Sequence, residues 1–153
     1  MNRAMLTGLG SIALAQAMKL PLQFIRTGEW KWSALTQTGG MPSSHSAGVA
    51  SLAAYIALKK GVPAIDFAIS SLFGLIVMYD AMGIRRAAGE MAVELNQLDV
   101  QVEQLSDHHP GLYHERRQEA LKEQLGHIPQ EVAVGAVLGA AIGAASYWLE
   151  YRN

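Results

Sequence analysis

The apolar residues of this chain gather into four long stretches, at about 3–24, 45–60, 64–84 and 131–149. A helix needs about 20 apolar residues to cross a bilayer, with some tolerance. The pattern therefore predicts an all-α integral membrane bundle of about four transmembrane helices, in a single domain covering 1–153. The second stretch, HSAGVASLAAYIALKK, is short and alanine-rich, and reads as a thin span, a half-span or a helix buried among the others. The first has the outline of a signal peptide, with Arg3 ahead of an apolar run. No clear cleavage site follows it and more apolar stretches come after, which favours a retained first helix. Composition agrees, since half the residues are hydrophobic and only 16% are charged, against roughly 25% in soluble globular chains. A net charge of −1 argues against a nucleic-acid partner, which calls for a basic excess or stripe. The chain has no cysteine, which excludes disulfides, thiolate catalysis and cysteine-held metals.

Between the third and fourth stretches lies a polar insertion, about 86–126. Met91, Leu95, Leu98, Val102 and Leu105 recur in alternating steps of four and three, drawing an apolar seam along a charged helix. SDHHPG at 106–111 breaks that helix, and YHERRQEALKEQL, 113–125, reads as a return helix, so a polar helical hairpin outside the membrane is expected. On the last stretch Gly135, Gly139 and Gly143 stand four apart, a spacing that lets helix backbones approach closely in lipid.

If the spans alternate in direction, the end of the first, the start of the second, the end of the third and the start of the fourth share one face. Lys19 and Arg26, then His45, then Arg85 and Arg86, then His127 and Glu131 occupy those ends. Two helix N-termini aimed at one place favour an anion such as phosphate. Lysine and arginine add charge and a donor fork, and two imidazoles suggest chemistry as well as binding. GGMPSSHS, 39–46, fits this picture: its glycines turn the chain, its proline leads into a helix, and that helix delivers His45.

These residues resemble the type 2 phosphatidic acid phosphatase superfamily, which shares its active site with the vanadium haloperoxidases. Lys19 to Arg26 gives that family's K-x6-R, with Thr27 where a proline is usual; Pro42 to His45, PSSH, stands for P-S-G-H with Ser44 in place of glycine. His127 and Glu131 match H-x3-D with glutamate for aspartate, while the motif's arginine must come from Arg85 or Arg86, some forty residues earlier. That split looks like the divergent branch of the superfamily. The resemblance implies a metal- and cofactor-free phosphatase in which His127 attacks phosphorus and Glu131 accepts from its N–H. His45 would protonate the leaving oxygen. Lys19, Arg26 and Arg85 would hold the phosphate oxygens, with Ser43 and the Ser44 N–H as further donors.

The implied partners are the bilayer and a phosphomonoester or pyrophosphate, most naturally on a lipid, because the site lies at headgroup depth. The replaced motif residues motivate an alternative, a catalytically inactive binding or assembly module on the same scaffold. Several residues have plain structural readings. Glu131 suits the dipole of the helix that Pro129 opens, Arg86 can pair with Glu90 four residues on, and Asp80 near the end of a span calls for a polar partner. His108, His109 and His114 read as solvated loop, and Trp30, Trp32, Tyr147, Trp148 and Tyr151 as interfacial anchors. Four helices are few for this superfamily, so a homodimer or larger homo-oligomer is expected, joined through the glycine face or the heptad seam.

Overall fold

The computed structural model describes residues 2–36, 39–108, 119–123 and 125–152, with only the backbone of 107 and 108. Among them every regular element is helical. Five α-helices occur in chain order: α1 Arg3–Thr27, α2 Ser44–Lys60, α3 Ile65–Met82, α4 Ile84–His108 and α5 Pro129–Tyr151, with a short 3₁₀ turn at Trp32–Leu35 after α1.

Local chemistry sets their ends. The Asn2 side chain accepts from the Ala4 N–H to start α1, and Gly28, at φ 73°, closes it by donating to the Phe24 carbonyl, a left-handed stop that glycine adopts without strain. Ser43 caps α2, its Oγ accepting from the Ser46 N–H. Pro129 occupies the first turn of α5, where its missing N–H would have had no partner.

The short, alanine-rich α2 is the hub, packing on α1, α3 and α5. At 17 residues it is about 25 Å long, less than the ~30 Å hydrocarbon core. Small residues make this close assembly possible. A Cβ on Gly135, Gly139 or Gly143 would run into the backbone of Ser43 at the α2 cap and of Ala47 and Ser51 within α2. The glycine face is thus consumed within one chain, which removes it as the expected dimer contact. Buried hydroxyls reinforce the seams: Ser11 Oγ donates to the Ala47 carbonyl at 3.0 Å, and Thr7 and Ser146 hydroxyls meet at 2.6 Å.

Among the described residues, two runs are by themselves long and apolar enough to cross a membrane, Ile65–Ser106 and Pro129–Tyr151. α1 and α2 do not reach that standard alone, and the expected all-helical membrane bundle stands. In the first run the apolar part is α3; only Gly83 separates it from α4. The seam residues Met91, Leu95, Leu98, Val102 and Leu105 are all exposed on α4. Of the expected return helix, 119–123 and 125 are not helical, and the rest of 113–125 lies outside the described residues. Asn96 holds this stretch against α4, donating to the Leu121 carbonyl and the Glu123 carboxylate and accepting from the Leu121 N–H. Of the expected interfacial anchors, Trp30, Trp32, Trp148 and Tyr151 are exposed, while Tyr147 is half-buried against the Tyr55 and Tyr151 rings.

Candidate functional site

The two histidines, 82 positions apart in the sequence by subtraction of their numbers, meet at one end of the bundle. Their ring centroids are 5.9 Å apart, with the planes at 79°. His45 is delivered by the first turn of α2, which Ser43 caps, and is exposed. His127 sits two residues before α5, is 2% exposed, and donates its backbone N–H to the Ala81 carbonyl at the end of α3.

That bond belongs to a wider closure that rebuilds the divided third motif. Gly126 has φ 79° and lies against the start of α4, where a Cβ would come 2.6 Å from the Arg86 Cα and 2.8 Å from the Arg85 carbonyl carbon. A few residues along α4, Gly89 receives the returning chain, a Cβ there standing 2.9 Å from the Leu125 carbonyl. Two glycines thus bring the Arg85–Arg86 pair back beside His127 across the polar insertion. Both glycines stand in the stretches GHIPQEVAVG and YDAMGIRRAAGE that carry the resemblance, and spacing assigned them no backbone role, although a glycine directly before a candidate catalytic histidine is a readable sign of close backbone approach.

Neither ring nitrogen of His127 has a hydrogen-bond partner among the described residues, though both are buried. An unsatisfied buried polar group of this kind costs roughly 1–3 kcal/mol and calls for an explanation. Burial, with the positive charges of Lys19, His45 and Arg85 acting in the same direction, lowers the His127 pKa to about 4. The ring is therefore neutral at physiological pH, the form that keeps a nitrogen lone pair.

The charged residues divide into two groups. On the His127 side a cleft of about 410 Å³ is bounded by Arg86, Glu90, Glu123, His127 and Glu131, with Gly39 and Gly40 on its wall. Across those two glycines lies a second pocket, of about 260 Å³, which takes in Lys19, Gln23, Arg26 and Thr27. The Lys19 ammonium is buried and donates to the Gly39 carbonyl at 2.9 Å. The expected single cradle is therefore two basic compartments sharing a glycine wall. Gln23 and Thr27 were missed as lining residues, although steps of four from Lys19 place both on its helix face.

Arg85 forms an ion pair with Asp80 at 2.7 Å, and Arg86 pairs with Glu90 at 2.8 Å. Asp80 thus finds the polar partner its position demanded. Arg86 borders the His127 cleft, while the charge of Arg85 reaches both imidazoles.

Glu131 stands differently from expectation. Its carboxylate accepts from the Ile128 N–H at 3.3 Å, capping its own helix, and the hydrogen bond to the His127 ring is not made. A carboxylate at the third position of a helix reaches back to the cap with little strain, which is why the local bond forms. Ser43 is also tied into the frame. Its N–H donates to the Glu131 carbonyl at 3.1 Å, and its Oγ accepts from Ser46. Ser44, the first residue of α2, has an N–H that the helix itself leaves unpaired. Among the described residues no group of three or more His, Asp or Glu side chains is arranged to hold a metal. The His109 and His114 loop lies outside the described residues, as does the side chain of His108.

Comparison with known proteins gives the same direction. No solved structure matches the chain. Over 142 residues it is 43% identical to the uncharacterized membrane protein YuiD of Bacillus subtilis (strain 168), a match covering 90% of this chain and 89% of that one. It also matches the family described as the Divergent PAP2 family over residues 1–142, a range that takes in both histidines and every charged residue just placed around them. This membrane protein belongs to the Divergent PAP2 family.

Proposed function

We propose that the protein is a membrane-embedded phosphatase that hydrolyses a phosphomonoester or pyrophosphate, on a lipid, through a phosphohistidine at His127. The observation that carries this reading is the edge-to-face pair of imidazoles, 5.9 Å between centroids, with the inner ring's nitrogens unpartnered. A neutral ring nitrogen of His127 attacks phosphorus, and the bond from phosphorus to the leaving oxygen breaks as His45 delivers a proton to that oxygen. His45, now neutral, takes a proton from water, whose oxygen attacks the phosphohistidine. The N–P bond breaks and inorganic phosphate leaves.

The surrounding charge suits that sequence. Arg86 borders the His127 cleft and the charges of Lys19 and Arg85 reach its ring, so these cations would oppose negative charge building on the phosphoryl oxygens, and fixed cations near developing charge contribute strongly to such transfers. Arg26 widens the basic surface beyond the Gly39–Gly40 wall. Ser44 adds the N–H at the start of α2. Glu131 steadies the opening of α5 and so the approach of His127.

The test is phosphate release in liposomes by the wild type, His127→Ala and His45→Ala. Loss in both variants supports the mechanism; equal rates in all three remove it. The capped Glu131 favours one other reading, a phosphate-binding module without turnover. Vanadate binding together with absent hydrolysis of every ester tried would select that reading.

A further inference from the structure

We infer that Asp80 is a positioning residue for the histidine pair: it holds Arg85 across the break between α3 and α4, so that one guanidinium serves both imidazoles and keeps its two terminal nitrogens for phosphate oxygens. The inference deepens the phosphatase reading above and rests on it for the reaction; the brace itself rests on separate geometry. Asp80 and Arg85 are five residues apart, whereas side chains on a continuous helix pair at steps of three or four. Their ion pair at 2.7 Å therefore depends on Gly83, the single residue between the two helices, whose φ of −97° and ψ of −96° take the chain out of its helical course.

The same joint receives the nucleophile. Ala81, next to Asp80, accepts the His127 N–H at 2.9 Å, and Gly126 lies against the backbone of Arg85 and Arg86. Arg85 donates its Nε–H to Asp80, and its side chain makes no other hydrogen bond among the described residues. A guanidinium held by Nε keeps four N–H groups on its two terminal nitrogens, a fork that can take two phosphate oxygens at once. Arg86 makes the matching bond to Glu90, yet of the two arginines it is Arg85 whose charge reaches both His45 and His127. The Asp80 charge reaches His45 as well. There it opposes the positive charges of Arg85 from α4 and Lys19 from α1, with the His127 ring alongside and Glu131 of α5 turned to its own cap. The carboxylate thus favours a proton on the ring that must deliver one to the leaving oxygen.

The competing account is a brace that only satisfies Asp80, since a carboxylate near the end of a span needs a polar partner. Such a brace affects folding alone. A positioning carboxylate also changes how tightly a phosphoryl group is held and at which pH His45 carries its proton, and a longer carboxylate replaces it in part.

The experiment uses the 153-residue chain in vesicles, with octyl phosphate as substrate and orthovanadate as the bound probe. Asp80→Asn should weaken vanadate binding and lower kcat/KM by about tenfold or more, while Asp80→Glu stays within about threefold of wild type. His45 acts as the acid, so release fails as pH rises and its proton is lost. Without the Asp80 charge the protonated ring is less favoured, and this alkaline limb should move to lower pH. Glu90→Gln, which removes the partner of the neighbouring Arg86, should leave the limb in place. In an Arg85→Gln background Asp80→Asn should cost less than about twofold in vanadate affinity, because the two side chains act as one unit. Unchanged vanadate affinity with an unmoved limb in Asp80→Asn, an equal shift in Glu90→Gln, or losses that simply multiply in the double variant would each overturn the positioning role. So would a loss that tracks a lower melting temperature and that Asp80→Glu does not recover. Vanadate binding weakened in Asp80→Asn, with no ester hydrolysed by the wild type, would remove catalysis and leave the positioning of Arg85 standing. Release abolished by His127→Ala but indifferent to Asp80→Asn would do the reverse.

Discussion

The helix pair α2 and α5 carries a polar cluster at each end, and the two are built on opposite principles. Away from the histidines, Tyr55 is 2% exposed and its hydroxyl donates to the Glu150 carboxylate. Lys59 completes the cluster, meeting the Tyr55 hydroxyl at 3.0 Å and Glu150 at 2.8 Å. At the other end His127 is equally buried and leaves both ring nitrogens without a partner among the described residues. A fold that satisfies one buried polar group can satisfy another. The difference therefore separates a cluster that holds helices together from a side chain kept available for something that arrives.

Replacing the unpartnered histidine should give the largest effect on activity and little on the fold. His127→Ala is expected to lower phosphate release by about a thousandfold or more with the melting temperature unchanged or raised, since an unsatisfied group is removed. A large fall in melting temperature would place His127 with the structural cluster instead. Breaking the connection between the ends should come next. Gly139→Val drives a side chain into the Ala47 backbone, at a cost of about 3 kcal/mol or more given that ordinary overpacking costs 1–3; a denaturant titration showing less than about 1 kcal/mol would mean the helices can move apart.

Glu150→Ala sharpens the contrast from the paired side. It should lower the melting temperature, because the Tyr55 hydroxyl loses its acceptor, while phosphate release per folded molecule stays the same. Lost activity would couple the two ends. Protons give a further distinction: the folded pKa of His127, about 4, lies below the unfolded value near 6.5, so between these values the unfolded chain binds the extra proton. With respect to this group the fold is most stable above about pH 6.5 and loses stability as pH drops toward 4, where the buried ring must take up a proton. Melting curves should show this slope in the wild type and a shallower one in His127→Ala; equal slopes would contradict the neutral buried ring. The smallest effect is expected from Glu131→Gln, which keeps an acceptor for the Ile128 N–H. Release within about threefold of wild type fits the capping role, whereas a loss beyond tenfold would make Glu131 a direct support of His127.

Much of this was legible along the chain. The start of α2 and the start of α5 read as histidine-bearing helix N-termini on a common face because apolar length and alternation decide which ends lie together. The exposed seam on α4 and the Arg86–Glu90 pair followed from helical spacing alone. Other features depended on competition between partners that no spacing reveals. Glu131 had two acceptable donors, and the Ile128 N–H, held within the same turn, won over a ring from outside the helix. The weakest apolar stretch became the hub because its small residues admit three neighbours at once, a property of the assembled bundle.

The order of apolar stretches, the histidines at helix starts and the residues of the divided motif are properties of the sequence by itself, since length, periodicity and capping act over a few neighbours. Tertiary structure alone decided that Gly126 and Gly89 fold the insertion back to restore Arg85–Arg86 beside His127, that a glycine wall parts the basic residues into two compartments, and that α3 and α5 stand apart on α2. Each of these results from backbone surfaces meeting at van der Waals distance. Such a meeting depends on every element packed around it, which no local pattern records.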